Sequence, residues 1–253
     1  MPTGLGGEVM WLCPSLDDSP NDLSGNGNNG TYVNGTSTAA DSDPTYGGSR
    51  AYDFDGTDDY IDAPTSVVEG LSTGAISMWF KADSSASGTR RFLMSAGAGA
   101  AGQDATYFDI GPSTGSFDNE SLGVAVLNSS QGVVVAGFYR NGGSFFFDDS
   151  WHHVVYMSDS TGNSMYIDGV LVSLSYIYGS SASSQGLFRT GLTRFYIGVR
   201  DWNGLGGFFS GYQDDVRVYN RVLTQSEITL LASTRGFTAG GGTHVHRTLL
   251  GVG

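Results

Sequence analysis

The sequence predicts an all-β protein, an antiparallel sandwich or barrel with one short helix near its C-terminus. Three observations carry that expectation. Short runs of alternating apolar and polar residues recur along the chain, separated by turns of Gly, Asn, Asp and Ser. Aromatics make up 12% of the 253 residues, while Gly numbers 39 and Pro only 6, a balance of strands and turns. Of the 25 acidic residues only Glu8, Glu69, Glu120 and Glu227 are Glu; the rest are Asp, the acid of turns, caps and hard cations.

The candidate strands, in order, are residues 8–13, 51–55, 59–63, 75–82, 91–96, 106–111, 122–128, 132–139, 151–159, 164–173, 194–200 and 211–220. The stretch "DFDGTDDYIDA" (53–63) has five aspartates in eleven positions, which raises the question of a calcium loop. Its glycine comes fourth rather than sixth and no Glu closes it, so the EF-hand spacing fails. It reads instead as strand, turn, strand, with Tyr52, Phe54, Ile61 and Ala63 inward and Gly56-Thr57-Asp58 reversing the chain. In "AISMWFKA" (75–82), Ile76, Met78 and Phe80 share the face opposite Ser77, Trp79 and Lys81. Within 164–173, Asp168-Gly169 separates two apolar triplets, the signature of a two-residue hairpin whose turn needs positive φ twice. The helix is expected over 222–234. Thr224 and Glu227 form a capping box there, and Ile228, Leu231 and Leu230 can dock on the sandwich. This divides the chain into a flexible start (1–7), one β-domain (8–234) and a Gly-rich arm (235–253).

Charge and composition exclude several functions. A net charge of −13 leaves no basic stripe for nucleic acid. Lys81 is the sole lysine, so lysine catalysis has one candidate, and the single Cys13 cannot form an internal disulfide. The first residues lack a basic segment and an apolar run, so no secretory signal is expected, and no stretch is apolar enough for membrane insertion. The four Asn-x-Ser/Thr sequons at Asn29, Asn34, Asn119 and Asn128 are then read as products of composition.

The segments "DLSGNGNNGTY" (22–32), "AYDFDGTDDYIDAP" (51–64), "AISMWFKA", "WHHVVYMSDSTGNSMYIDGVLVS" (151–173) and "FYIGVR…GYQDDVRVYNRVLTQSEI" (195–228) occur in one order across the domain. In that order the chain resembles the laminin G-like, concanavalin A-like jelly-roll family. The resemblance implies a two-sheet antiparallel jelly-roll sandwich, with Trp151-His152 opening a central strand and Asp214 through Arg221 leading into the helix. It also implies Ca²⁺ at the sandwich edge, held by Asp17, Asp22 or Asn21 together with Asp214. The reading from the residues themselves is that these side chains cap turns, and both stay open at this point.

Site chemistry decides function more than fold does. Relatives of this fold that cleave polysaccharides carry a Glu-x-Asp-x-x-Glu strand motif, and none of the four glutamates here fits it. The pairs Asp148-Asp149 and Asp214-Asp215 are adjacent, which on a regular strand sends them to opposite faces. His152 and His153 read as packing residues, and His244-x-His246 as a polar tail with no third metal ligand. There is no Gly-x-Ser-x-Gly elbow. No enzyme is therefore expected. Ligand contacts are expected from Trp202, Phe208 and Phe209 on a Gly-rich loop and from Tyr176 and Tyr178.

The expected function is a non-catalytic binding or structural module: a decoration, fibre or adhesion subunit on a larger assembly such as a phage-like virion, attached through its terminal arm. The alternative is a Ca²⁺-assisted carbohydrate-binding lectin, and the third class is a glycoside hydrolase or lyase. Expected partners are other protein subunits, including copies of itself in a homo-oligomer, and cell-surface glycans. The expected location is a virion or cell surface.

Overall fold

The computed structural model describes residues 4–98, 105–110, 121–127, 133–139, 146–183, 187–201 and 204–239. The strands are β1 (Glu8–Leu12), β2 (Thr31–Val33), β3 (Ser37–Ala40), β4 (Arg50–Asp55), β5 (Tyr60–Asp62), β6 (Gly74–Ala82), β7 (Arg91–Gly97), β8 (Ala105–Ile110) and β9 (Leu122–Leu127). They continue as β10 (Val133–Tyr139), β11 (His152–Asp159), β12 (Gly162–Ile167), β13 (Val170–Val172), β14 (Ser175–Tyr178), β15 (Arg194–Ile197), β16 (Arg200–Asp201), β17 (Leu205–Gly206) and β18 (Ser210–Tyr219). The helix α1 (Gln225–Leu231) follows.

Among the described residues these strands form two large antiparallel sheets. The first runs β13-β12-β11-β6-β18-β4-β3 with β1 also on β18; the second runs β14-β10-β9-β8-β7-β15-β5-β2. Strands β16 and β17 make a separate ribbon. This is the expected all-β two-sheet sandwich with one helix.

Alternation explains the core. Tyr52 and Phe54, Ile76, Met78 and Phe80, and Val154 and Tyr156 point inward from the first sheet. Phe108, Ile110, Leu122, Val124, Phe195 and Ile197 meet them from the second. The Asp168-Gly169 turn has φ of 50° and 81°, as a type I′ hairpin requires. Thr224 Oγ1 accepts from the Glu227 amide, and Glu227 accepts from the Thr224 amide at 2.8 Å, completing the capping box. Ile228 and Leu231 bury with Ala75, Val155 and Tyr219 on the outer face of the first sheet. Leu230 instead points to solvent. No helix among the described residues is long and apolar enough to cross a membrane.

The structure adds to the sequence reading in three places. Strands β2, β3 and β14 lie at sheet edges with largely exposed residues, so no buried face imprinted an apolar alternation on them. The start is anchored rather than free: Asn220 N donates to Gly7 O at 2.9 Å, and Leu5 packs beside the helix. The domain also extends past residue 234. Arg235 is buried, and Phe237 packs on the helix side of the sheet. The arm beyond 239, with His244 and His246, lies outside the described residues.

β18 is the centre of the first sheet, pairing β6, β4 and β1. Its register shifts between Asp214 and Arg217, with Asp215 at a φ of 52°. This bulge cancels the strict alternation, so Asp214, Asp215 and Arg217 all contribute to one network on the outer face. Arg217 Nε and Nη2 grip Asp215 at 2.7 and 3.0 Å, and its guanidinium lies 4.0 Å from the Trp11 ring centroid. Trp11 Nε1 donates to the same Asp215 carboxylate at 2.6 Å. Removing one member of such a buried pair strands the other. Arg217→Ala is expected to lower the unfolding free energy by roughly 3–5 kcal/mol in urea titrations.

Candidate functional site

The candidate metal residues come first, because the structure separates them. Asp214 is completely buried. Ser15 Oγ donates to its Oδ2 at 2.5 Å, its own neighbour's amide donates to Oδ1 at 2.7 Å, and Cys13 Sγ lies at 3.4 Å. Arg235 Nη1 stands 3.6 Å from the same carboxylate. Asp22 accepts from the amides of Trp11, Ser24 and Asn28 at 2.9 Å each. Asp17 accepts from Ser19 Oγ and Asn21 Nδ2. Each of these carboxylates is engaged in its own loop hydrogen bonds, and among the described residues Asp17, Asp22 and Asp214 do not form a close carboxylate group.

Among the described residues, the three carboxylates that do approach within 4.8 Å of one another are Asp55, Asp58 and Asp59, in the stretch first read as a turn. Asp55 Oδ1 accepts from Thr57 N at 2.7 Å, and Asp59 Oδ2 accepts from Asp55 N at 3.1 Å. The cluster is thus a turn that caps itself.

Two groupings among the described residues bear on catalysis. Asp214 and Asp215 share a face, contrary to the alternation argument, yet both are sealed from solvent. Ser77 Oγ and His153 Nε2 meet at 2.9 Å, but His153 Nδ1 is buried with no partner, so no carboxylate orients the ring. Burial pulls the His153 pKa down to about 3, leaving a neutral packed imidazole.

The predicted aromatic contacts scatter. Phe209 is fully buried, meeting Phe54 edge-on at 6.0 Å between centroids. It is a core residue, placed there by the inward phase of the segment entering β18. Phe208 is half-buried, and its carbonyl accepts from Arg91 Nη1 at 2.8 Å. Tyr176 is half-buried and donates to Asn163 Oδ1 at 2.8 Å. Trp202 lies outside the described residues. Tyr178 is 54% exposed and is the predicted contact that the structure presents to solvent.

Tyr178 belongs to a site the sequence reading did not assemble. Register places Tyr178 opposite Ala136, Ala136 opposite Ala125, and Ala125 opposite Tyr107. Two tyrosines thus flank two alanines across four strands of the second sheet, on the face away from the core. At about 4.8 Å per strand their backbones stand about 14 Å apart, and the small residues between them form the floor of a cleft of about 240 Å³. In the next row Phe92 lies opposite Asp109 and Asp109 opposite Gly123. Gly123 makes room for the carboxylate: a Cβ there would stand 3.3 Å from Asp109 Oδ1. Gly207, at a φ of 66°, lies so close to Phe92 that a Cβ would be 2.5 Å from its ring. Phe92 and Tyr107 meet edge-on at 5.9 Å.

Two arginines complete the cleft. The guanidinium carbons of Arg90 and Arg200 each lie 4.9 Å from the Phe92 ring centroid. Arg90 Nε pairs with Asp109 Oδ2 at 2.5 Å. Arg200 Nε is buried without a hydrogen-bond partner. Burial, and then the Arg90 charge, hold the Arg200 pKa below the ordinary arginine value. Tyr107 and Asp109 are an alternating pair on β8, which was a usable signal; the arginines are far apart in sequence and gave none.

Fold and site together define a jelly-roll β-sandwich with an aromatic and polar cleft on one sheet face, the architecture of a binding module. The chain belongs to the concanavalin A-like lectin/glucanases superfamily, whose laminin G-type family model matches residues 55–229. The resemblance carried by the motifs is thereby shown. No curated protein matches the chain. Among solved structures it is similar to domain 4 of AbnA, a GH43 extracellular arabinanase from Geobacillus stearothermophilus, solved in complex with arabinotriose. The TM-score is 0.61 at 17% identity, covering 92% of this chain and all of that one. The binding domain of Paraclostridial Mosquitocidal Protein 1 gives 0.62 at 15% identity over 89% of this chain, which spans 52% of that domain. The CBM40 of a Ruminococcus gnavus IT-sialidase gives 0.50 at 16% identity, covering 66% of this chain and 85% of that one. The family and these structures are mostly binding-domain modules, some of them parts of enzymes.

The buried Asp214 makes stability depend on pH. Desolvation, reinforced by the Asp215 charge, pushes its pKa up to about 7. Between about pH 4 and 7 the folded state therefore holds a proton that the unfolded chain has released, and this contribution is lost as pH rises through 7. Relative to Asp214→Asn, the wild type is expected to lose on the order of 2–4 kcal/mol of unfolding free energy from pH 4 to pH 8. Urea titrations of both proteins across that range check it. The His153 contribution is common to both and cancels.

Proposed function

We propose that this protein is a non-catalytic carbohydrate-binding module that holds its ligand on the outer face of the second sheet. One observation carries the reading: the Tyr178-Ala136-Ala125-Tyr107 row, bordered by the Arg90–Asp109 pair. Such a cleft offers an aromatic surface for the apolar face of a sugar ring, with charged donors and acceptors beside it for hydroxyls. The outer face of the first sheet lies under α1, whereas among the described residues no helix covers this one. The likeness in fold to a domain solved with arabinotriose supports a saccharide as ligand. Partners under this reading are glycans of a cell surface or polysaccharide, and calcium has no part in it. Tyr178→Ala is expected to weaken binding of any glycan found on an array by about tenfold, with the unfolding transition unchanged. Undiminished binding in the variant removes this face from consideration.

A second reading, a subunit of a larger assembly, is favoured by one feature. Edge strand β13 exposes Val170 at 65% and Leu171 at 58%, with no Lys or Pro on it to block pairing. If copies of the protein pair along this edge, sedimentation shows a dimer that Leu171→Lys converts to monomer; a wild-type monomer at all concentrations ends this reading.

A further inference from the structure

We propose that the cleft is selective for acidic saccharides, with Arg200 receiving a sugar carboxylate. This rests on the sugar-binding reading and specifies its ligand class. The argument is one of charge. The cleft is lined by Arg90, Arg200 and Asp109, together with Tyr107 and Tyr178. Among the described residues that line the cleft, Asp109 is committed to Arg90 at 2.5 Å and the second guanidinium, Arg200, has no ion pair, in a protein of net charge −13. The neighbouring Asp201 cannot supply the missing partner, because it is held by Arg194 and by the Gly204 amide at 3.2 Å.

Arg200 is also costly where it stands. Its Nε is buried and unpaired, it shares the Phe92 ring with a second guanidinium, and that neighbour opposes its charge. A buried donor without an acceptor is unfavourable, and a carboxylate arriving at a planar guanidinium can take two parallel N–H donors at once. Contact with the Phe92 ring, 4.9 Å from guanidinium carbon to centroid, restrains the side chain in advance, so less of its freedom is lost on binding. Tyr178, at the other side of the cleft, supplies the apolar contact. A carboxylate alone would use only Arg200, and a neutral sugar only the tyrosine and the Arg90–Asp109 pair. A ring bearing a carboxylate uses all of them. The volume of about 240 Å³ is below the ~300–1,000 Å³ of ligand pockets for drug-sized molecules, which limits the anchored part to a ring or two.

Two kinds of sugar carry this chemistry, hexuronates and nonulosonates, and calorimetry on the full chain separates them. The probes are trigalacturonate and its carboxyl-reduced form, and sialyllactose and lactose. One acidic probe is expected to bind roughly 10- to 100-fold more tightly than its neutral counterpart, and the family of that probe identifies the source. Arg200→Gln is expected to bring the acidic probe to the affinity of the neutral one, and Tyr178→Ala to weaken both. The reduced probes on the wild-type protein give the comparison even if Arg200→Gln does not fold. Equal affinity for acidic and neutral probes, with both lost in Tyr178→Ala, overturns the acidic preference while leaving the sugar-binding face intact. If no probe of either kind binds to protein that unfolds cooperatively, both readings fall.

Discussion

The buried Arg217–Asp215 pair beneath Trp11 is the constraint on which the rest of the first sheet depends. A guanidinium and a carboxylate removed from water are tolerated only when each finds its partners, and here β1, β18 and the Phe237 carbonyl all supply them. The same region takes in a second cation. Arg235 lies 4.0 Å from the Trp151 ring centroid and bonds the Gly47 carbonyl and the Asp41 backbone, while Trp151 Nε1 and Lys81 Nζ complete Asp41. Strand β1, residues 235–237 and the 41–49 loop are therefore fastened to one sheet face by charges that would otherwise be stranded. Part of that face lies under α1, and part under Arg217, Arg235, Trp11 and Trp151.

Among the described residues, the second sheet carries on its outer side the apolar cluster Phe92, Tyr107 and Leu127 with Ala125. It keeps a polar border in Arg90, Asp109 and Arg200. Arg217 and Arg235, over the first sheet, pair with Asp215 and Asp41, whereas among the described residues Arg200, on the β16–β17 ribbon, has no ion pair.

Much of the fold was legible from local pattern. Period-two alternation located the central strands, Asp168-Gly169 announced its hairpin through two positive φ angles, and Thr224 with Glu227 marked the helix start. The edges were not legible, since strands such as β3 and β14 pair on one side only and have no buried face to select an apolar pattern. Asp214 was expected as a ligand at a calcium site; the structure buries it completely against Ser15, Cys13 and Arg235. The bulge that turns it toward Asp215 and the burial that pushes its pKa up to about 7 are properties of β18 in its place between neighbours.

The sequence by itself determined the class of fold and the order of its main strands, because these follow from composition and short-range periodicity. Tertiary structure alone decided the site. Arg90, Asp109, Arg200 and Tyr178 come from four separate segments, and the strand order β14-β10-β9-β8-β7 with the β16–β17 ribbon beside it sets them around one cleft. Phe209 and Tyr178 look alike as aromatics beside glycines. The register of β14 on β10 leaves Tyr178 exposed, while the entry into β18 sends Phe209 against Phe54 in the core. Which aromatic meets water is fixed by pairing between strands distant in sequence, and that is information a single chain does not carry locally.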